Sequence, residues 1–161
     1  MNILERIEKI VRNYTQKKLK IALAESCTGG YVSHMITNIS GASNVLERGI
    51  VCYSNQAKID LLNVKRSSLE IYGAVSENVV NQLANNIRLL ADVDIGIGIS
   101  GIAGPTGGTP EKPVGTVYVG FSTKKGTKVI RYNFKADRIT FKELVLEKIV
   151  DYLEQKKSKR N

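Results

Sequence analysis

The sequence holds 161 residues, 42% of them apolar, with abundant Leu, Ile and Val, few aromatics and no Trp. That length fits one ordinary domain with an aliphatic core; such a domain buries roughly 70% of its unfolded surface, which excludes intrinsic disorder and any need for disulfide staples. The formal charge is +9, but residues 1–20 carry net +4, 124–161 net +7 and 21–123 net −2, so the basicity belongs to solvated terminal helix faces and argues against a nucleic-acid partner.

Ile3, Ile7, Ile10, Val11 and Tyr14 recur at helical spacing after Asn2, a capping residue, and predict an amphipathic helix over 3–17. This stretch mixes charges at every turn and lacks the apolar core of a signal peptide, and no run of ~18 apolar residues follows. The reading is a cytoplasmic protein with no membrane partner, its Cys27 and Cys52 reduced. Lys20–Glu25 reads as a short buried strand that runs into Ser26-Cys27-Thr28-Gly29-Gly30, and helical spacing resumes at Tyr31. Residues 40–44 form a loop, Glu47–Ser54 a second strand, and Asn55 opens a helical stretch. Ser76 caps a helix with Val79, Val80, Leu83, Ala84, Ile87, Leu90 and Ala91 on one face. Asp94–Ser100 is a strand thinned by glycine. A long loop with all three prolines follows, then a hairpin of 114–122 and 128–134. A last helix, about 137–154, buries Phe141, Leu144, Val145, Ile149 and Leu153, and residues 156–161 form a frayed tail.

Strands alternating with helices, then a hairpin, predict a single three-layer α/β/α domain over 1–161. Its sheet is mixed and mostly parallel, of about five strands. Ligands in such sheets gather at the carboxyl ends of strands. Segments 26–30, 53–58 and 100–113 all follow strands, and their convergence points to a site.

At the first of these, a hydroxyl stands where a strand gives way to a helix N-terminus with free N–H groups and a partial positive charge. Ser26 there is either a nucleophile or, with Thr28, a helix cap. Cys27 is a rival nucleophile, but strand alternation points it away from Ala22, Ala24 and Ser26. The single histidine, His34, lies two helical turns beyond Ser26, so no Ser-His-Asp triad can form. Two cysteines and one histidine make no metal-ligand set. Lys58 is the candidate base, because a lysine can act so once its pKa falls; the alternative is an ordinary surface lysine. The loop Ser100-Gly101-Ile102-Ala103-Gly104-Pro105-Thr106-Gly107-Gly108 offers backbone access and hydroxyls. Gly96-x-Gly98-x-x-Gly101 fits a dinucleotide pattern only formally, since it lies inside a strand and lacks the acid ~20 residues on. Arg138 can grip a phosphate or form a surface ion pair.

AESCTGG (24–30), ERGIVCYSNQAK (47–58), GAVSE (73–77), SGIAGPTGG and EKPVGTV (within 100–117) occur in this order. Together they closely resemble the CinA C-terminal domain family over nearly the whole chain. The resemblance implies deamidation of nicotinamide mononucleotide to nicotinate mononucleotide and ammonia, with Ser26 as nucleophile, Lys58 as base and Tyr53 beside them. It implies no metal and no cofactor. Ser43, Ser100 and Arg138 match pocket positions of the family, while the backbone near Thr28, Gly29 and Gly30 would hold an oxyanion and Gly101 and Gly104 would line the substrate. Many members carry a further N-terminal domain, and this chain looks like the stand-alone form, with a homo-oligomer as the family expectation. One segment departs: the family reads Gly-(Asp/Asn)-Arg with a second arginine four residues on, where this chain has Ala136 and Lys142. Two competing readings are a nucleotide-binding regulatory module without chemistry and a competence-related nucleic-acid-binding protein.

Overall fold

A computed structural model describes residues 1–156; of the predicted frayed tail, all but Lys156 lies outside them. Helix α1 (Ile3–Lys17) opens with a capping box: Asn2 accepts from the Glu5 N–H while Glu5 accepts from the Asn2 N–H. There follow β1 (Ile21–Glu25), α2 (Tyr31–Thr37), a single 3₁₀ turn (Ala42–Asn44), β2 (Leu46–Val51) and α3 (Asn55–Leu62). Then come α4 (Arg66–Tyr72), α5 (Glu77–Ala91), β3 (Ile95–Gly101), β4 (Thr116–Thr123), β5 (Gly126–Asn133) and α6 (Arg138–Gln155). Helix α4 was not legible in the sequence, because only Ser68 and Leu69 of its seven residues turn inward and no period can show. Strand β2 stops at Val51 rather than Ser54, and the side chain of Ser54 caps α3 by accepting from the Ala57 N–H.

The five strands are ordered β2-β1-β3-β4-β5. Strand β1 pairs in parallel with β2 and β3, while β3–β4 and β4–β5 are antiparallel. Four of the five strands therefore run the same way, and the sheet is mixed as predicted. Alternation along each strand feeds two cores. Ile21, Leu23, Ile95, Ile97 and Ile99 pack with α1, α2 and α6 on one face. Ala22 and Ala24 meet α3, α4 and α5 on the other. Arg6 of α1 bonds Asp151 and Glu154 of α6, both at 2.7 Å, which pairs part of the basic charge. Two core assignments are corrected: Leu90 lies exposed on α5 and Leu144 is only half-buried, whereas Leu146 and Val150 face the core of α6.

The glycines of β3 have a packing role. Ala24, Gly98 and Gly120 stand side by side across β1, β3 and β4, and α5 rests directly on this row. A Cβ at Gly98 would sit 2.7 Å from the Ala84 amide nitrogen and 2.8 Å from Leu83 Cβ. Gly98→Ala is expected to lower stability by about 1–3 kcal/mol through overpacking. A urea midpoint unchanged from the parent would show that α5 does not lie as close as described.

Chain order reverses at β1: the chain leaves β1 for β2 on one side and reaches β3 on the other. The carboxyl ends of β1 and β3 form the crevice where such sheets bind ligands. Ser26 and Ser100 sit there as neighbours, and the Ser26 N–H donates to the Ile99 carbonyl at 3.0 Å.

Candidate active site

Lys58 is among the largest fully buried side chains, 1% exposed. Helix α3 begins three residues earlier, at Asn55, and faces the sheet there, so the side chain runs inward to the end of β1. Its Nζ lies 3.0 Å from Ser26 Oγ, 2.9 Å from the Cys52 carbonyl and 3.1 Å from the Tyr53 carbonyl. The Ser54 carbonyl stands farther off at 3.4 Å. The three nearer neighbours suit a neutral amine, which donates two hydrogens to carbonyls and accepts the serine proton on its lone pair. They suit an ammonium equally, with three donated bonds. Burial pushes the Lys58 pKa below its ordinary value, opposed by the nearby thiols Cys52 and Cys27. No salt bridge to Lys58 occurs among the described residues, so it is not held charged as a paired lysine would be. The surface-lysine alternative is thereby removed.

Ser26 is buried, and its hydroxyl also lies 3.4 Å from the Tyr53 carbonyl. Cys27 joins the core beneath α1, α2 and α6 and also borders the cavity over Ser26, with only 6% of its surface exposed. Burial pushes its thiol up to about 12, so it remains a thiol at neutral pH and is a poor nucleophile. His34 is exposed on α2 beside Asn38.

The turn after Ser26 differs from expectation. Glu25, 1% exposed, accepts from the Val32 N–H at 3.0 Å, the Ser33 N–H at 3.0 Å, Thr28 Oγ1 at 2.7 Å and Ser33 Oγ at 2.6 Å. Its carboxylate therefore occupies the N-terminus of α2, and neither Ser26 nor Thr28 is the cap. The same contact removes Thr28 from the substrate side: the hydroxyl is fully buried and spent on Glu25. Gly29 and Gly30, at φ +59° and +96°, carry the chain to α2 outside the cleft, with Lys142 near Gly29 and Val51 near Gly30. Ser43 is not brought to the site. It is exposed on the 3₁₀ turn at the amino end of β2, roughly the length of β1 away, ~16 Å at ~3.3 Å per residue.

A cavity of about 280 Å³ opens over the dyad, lined by Ser26, Lys58, Tyr53, Ser100, Gly101, Gly104 and Arg138 among the predicted residues. Arg138, the first residue of α6, donates from Nη1 to the Gly104 carbonyl at 2.7 Å and from Nη2 to the Tyr53 hydroxyl at 3.2 Å. It ties the glycine loop to Tyr53, a residue 61% exposed at the rim. The surface ion-pair reading of Arg138 does not describe these contacts. Asn55, Ala74 and Val75 also line the cavity. They stand inside the ERGIVCYSNQAK and GAVSE motifs, but as ordinary residue types they carried no chemical signal of their own. Glu25 did leave one: an acid ending an otherwise apolar strand, just before a helix with no capping side chain of its own.

The fold and site can be set beside known proteins. The CinA C-terminal domain model matches residues 4–157. A protein of Thermoanaerobacter pseudethanolicus described as competence-damage inducible is 52% identical over 135 residues, 83% of this chain and 33% of that protein. A CinA-like protein of Thermotoga neapolitana is 42% identical over 160 residues, 97% of this chain and 39% of its own length. The chain thus spans about a third of the length of these curated relatives. Among solved structures, a CinA superfamily protein of Klebsiella pneumoniae superposes with a TM-score of 0.92 at 29% identity, covering 98% of this chain and 99% of that one. The competence/damage inducible protein CihA of Agrobacterium tumefaciens gives 0.89 at 33% identity, covering 95% and 94%. With the family model matching from α1 to the end of α6, this chain belongs to the CinA C-terminal domain family.

Proposed function

We propose that this chain is an amidohydrolase that deamidates nicotinamide mononucleotide through the Ser26–Lys58 pair. The observation that carries the reading is the 3.0 Å contact between a buried lysine and a serine hydroxyl at the floor of a cleft. Neutral Lys58 takes the proton of Ser26 as Oγ attacks the carboxamide carbon. The carbonyls of Cys52 and Tyr53, already directed at Nζ, hold the ammonium so formed. That ammonium returns its proton to the departing amide nitrogen, ammonia leaves, and the nicotinoyl group remains as an ester on Ser26. Lys58 then deprotonates water, which cleaves the ester; nicotinate mononucleotide departs and Ser26 regains its proton.

Donors for the oxyanion must lie closer to Ser26 than α2, whose N-terminus is taken by Glu25. The N–H group of Cys27 follows Ser26 directly, at a residue that lines the cavity, and donates to no oxygen among the described residues. One such donor is commonly worth about 3–4 kcal/mol in the transition state.

Charge orders the substrate. The pyridinium cation disfavours a second cation beside it, so its seat near Lys58 helps to keep the amine neutral. The phosphate then points to the open rim, where Arg138 spends only part of its five-donor fork on Gly104 and Tyr53. Arg138→Ala is expected to raise KM about tenfold, the loss of one charge-assisted contact, with kcat within threefold. Initial-rate kinetics check this; a loss confined to kcat would move Arg138 to the chemical step.

The test of the function is ammonia release from nicotinamide mononucleotide by the purified protein, in stoichiometry with nicotinate mononucleotide. Binding of the nucleotide without ammonia would make this chain a regulatory module. Salt-sensitive retention of DNA with no nucleotide binding would favour the basic termini as its working surface.

A further inference from the structure

We infer that Glu25 is a positioning residue for the nucleophile: its buried carboxylate fixes the turn that aims Ser26 at Lys58. Ser26 follows Glu25 directly, and the two side chains leave the sheet on opposite faces, one toward α2 and the other toward α3. The carboxylate collects four donors from residues 28, 32 and 33. Three residues of one turn and one helix are thereby fastened to the last residue of β1. On its main chain, the Glu25 carbonyl accepts from the Cys52 N–H at 2.9 Å, and the Cys52 carbonyl accepts from Lys58 Nζ at 2.9 Å. Residue 25 is thus bonded on one side to the helix behind the nucleophile and on the other to the segment that holds the base.

The brace reaches the edge of the sheet. Ser33 Oγ, which donates to Glu25, occupies the space above Gly49 of β2, and a Cβ at Gly49 would lie 3.0 Å from Ser33 Cβ and closer still to its hydroxyl. Gly49 is exposed, lines no part of the cleft and lacks a positive φ. A methyl group there would displace the Ser33 hydroxyl without touching the site.

The inference rests on Ser26 being the nucleophile, not on the identity of the substrate. A fluorophosphonate therefore serves as a second readout: Ser26 Oγ displaces fluoride from phosphorus while its proton passes to Lys58. Thr28→Val removes one donor to Glu25 at nearly constant volume, and Ser33→Ala removes another while improving helix propensity. Both, and Gly49→Ala, are expected to lower the labelling rate at saturating probe and kcat about tenfold, with probe half-saturation and KM within twofold. Thr28→Ser, which keeps the hydroxyl, should restore both rates to within twofold of the parent. Should one variant fail to fold, the other two carry the test, because they break the same brace from different elements. Rates within twofold of the parent in Thr28→Val and Ser33→Ala, or losses confined to KM, would overturn the inference. A parent that is labelled but releases no ammonia would overturn the substrate assignment alone, with the variants' labelling rates still deciding the brace. A parent that is not labelled at Ser26 would overturn both.

Discussion

Ser26→Ala is expected to reduce kcat for ammonia release about 10⁴- to 10⁶-fold, the scale on which nucleophile removal acts in serine hydrolases. Binding of nicotinamide mononucleotide should stay within about threefold, because the substitution removes one hydroxyl from a cleft whose other walls persist. No neighbouring group replaces it. Cys27 borders the same cleft, but its side chain packs in the α1/α2/α6 core and burial holds the thiol up at about 12, so it stays protonated. Ser100 lines the same cleft, yet Lys58 Nζ bonds Ser26 and the carbonyls of residues 52, 53 and 54, not Ser100. A coupled ammonia assay with calorimetric binding checks both halves of the expectation. A variant within tenfold of the parent rate would exclude covalent catalysis by Ser26.

Lys58→Met should lower kcat about 10²- to 10⁴-fold, the range of a general base, while preserving a buried unbranched side chain. Lys58→Arg should lose turnover as fully, since a guanidinium stays charged at any working pH and cannot accept the serine proton. The sign of the pH dependence follows from burial. Lys58 serves as base only when neutral, so kcat/KM rises as pH passes upward through its pKa. Because burial lowers that pKa, the rising limb lies below the ordinary lysine value of 10.5. Both variants should lack this limb. A parent profile flat with pH, or a limb retained in Lys58→Met, would assign proton transfer to another group.

Much of this was legible from residue pattern. Helix α1 matches its predicted bounds because Asn2 and Glu5 announce its start and a strong apolar stripe follows. Ser26, Lys58 and Arg138 were legible as candidates because each follows a strand, where side chains meet at the end of a parallel sheet. What stayed hidden depended on contacts between segments distant in sequence. Nothing local told that Thr28 would bond Glu25 rather than substrate; only the acid at the end of an apolar strand hinted that Glu25 would fill the α2 N-terminus. Ser43 belongs to a segment preceding β2, and a parallel pairing necessarily leaves such a segment at the opposite end from the residues that follow β1. The glycines of β3 looked like a nucleotide motif, yet their reason is the close seat of α5 on Gly96 and Gly98.

An uncharged amine inside the protein, within reach of one hydroxyl, is the physical core of the mechanism, and the lysine side-chain nitrogen can be observed directly. Nitrogen-15 NMR titration of the parent, with Lys58→Met to identify the resonance, should show this amine losing its proton at lower pH than the surface lysines. Titration together with those lysines, or above them, would contradict the account.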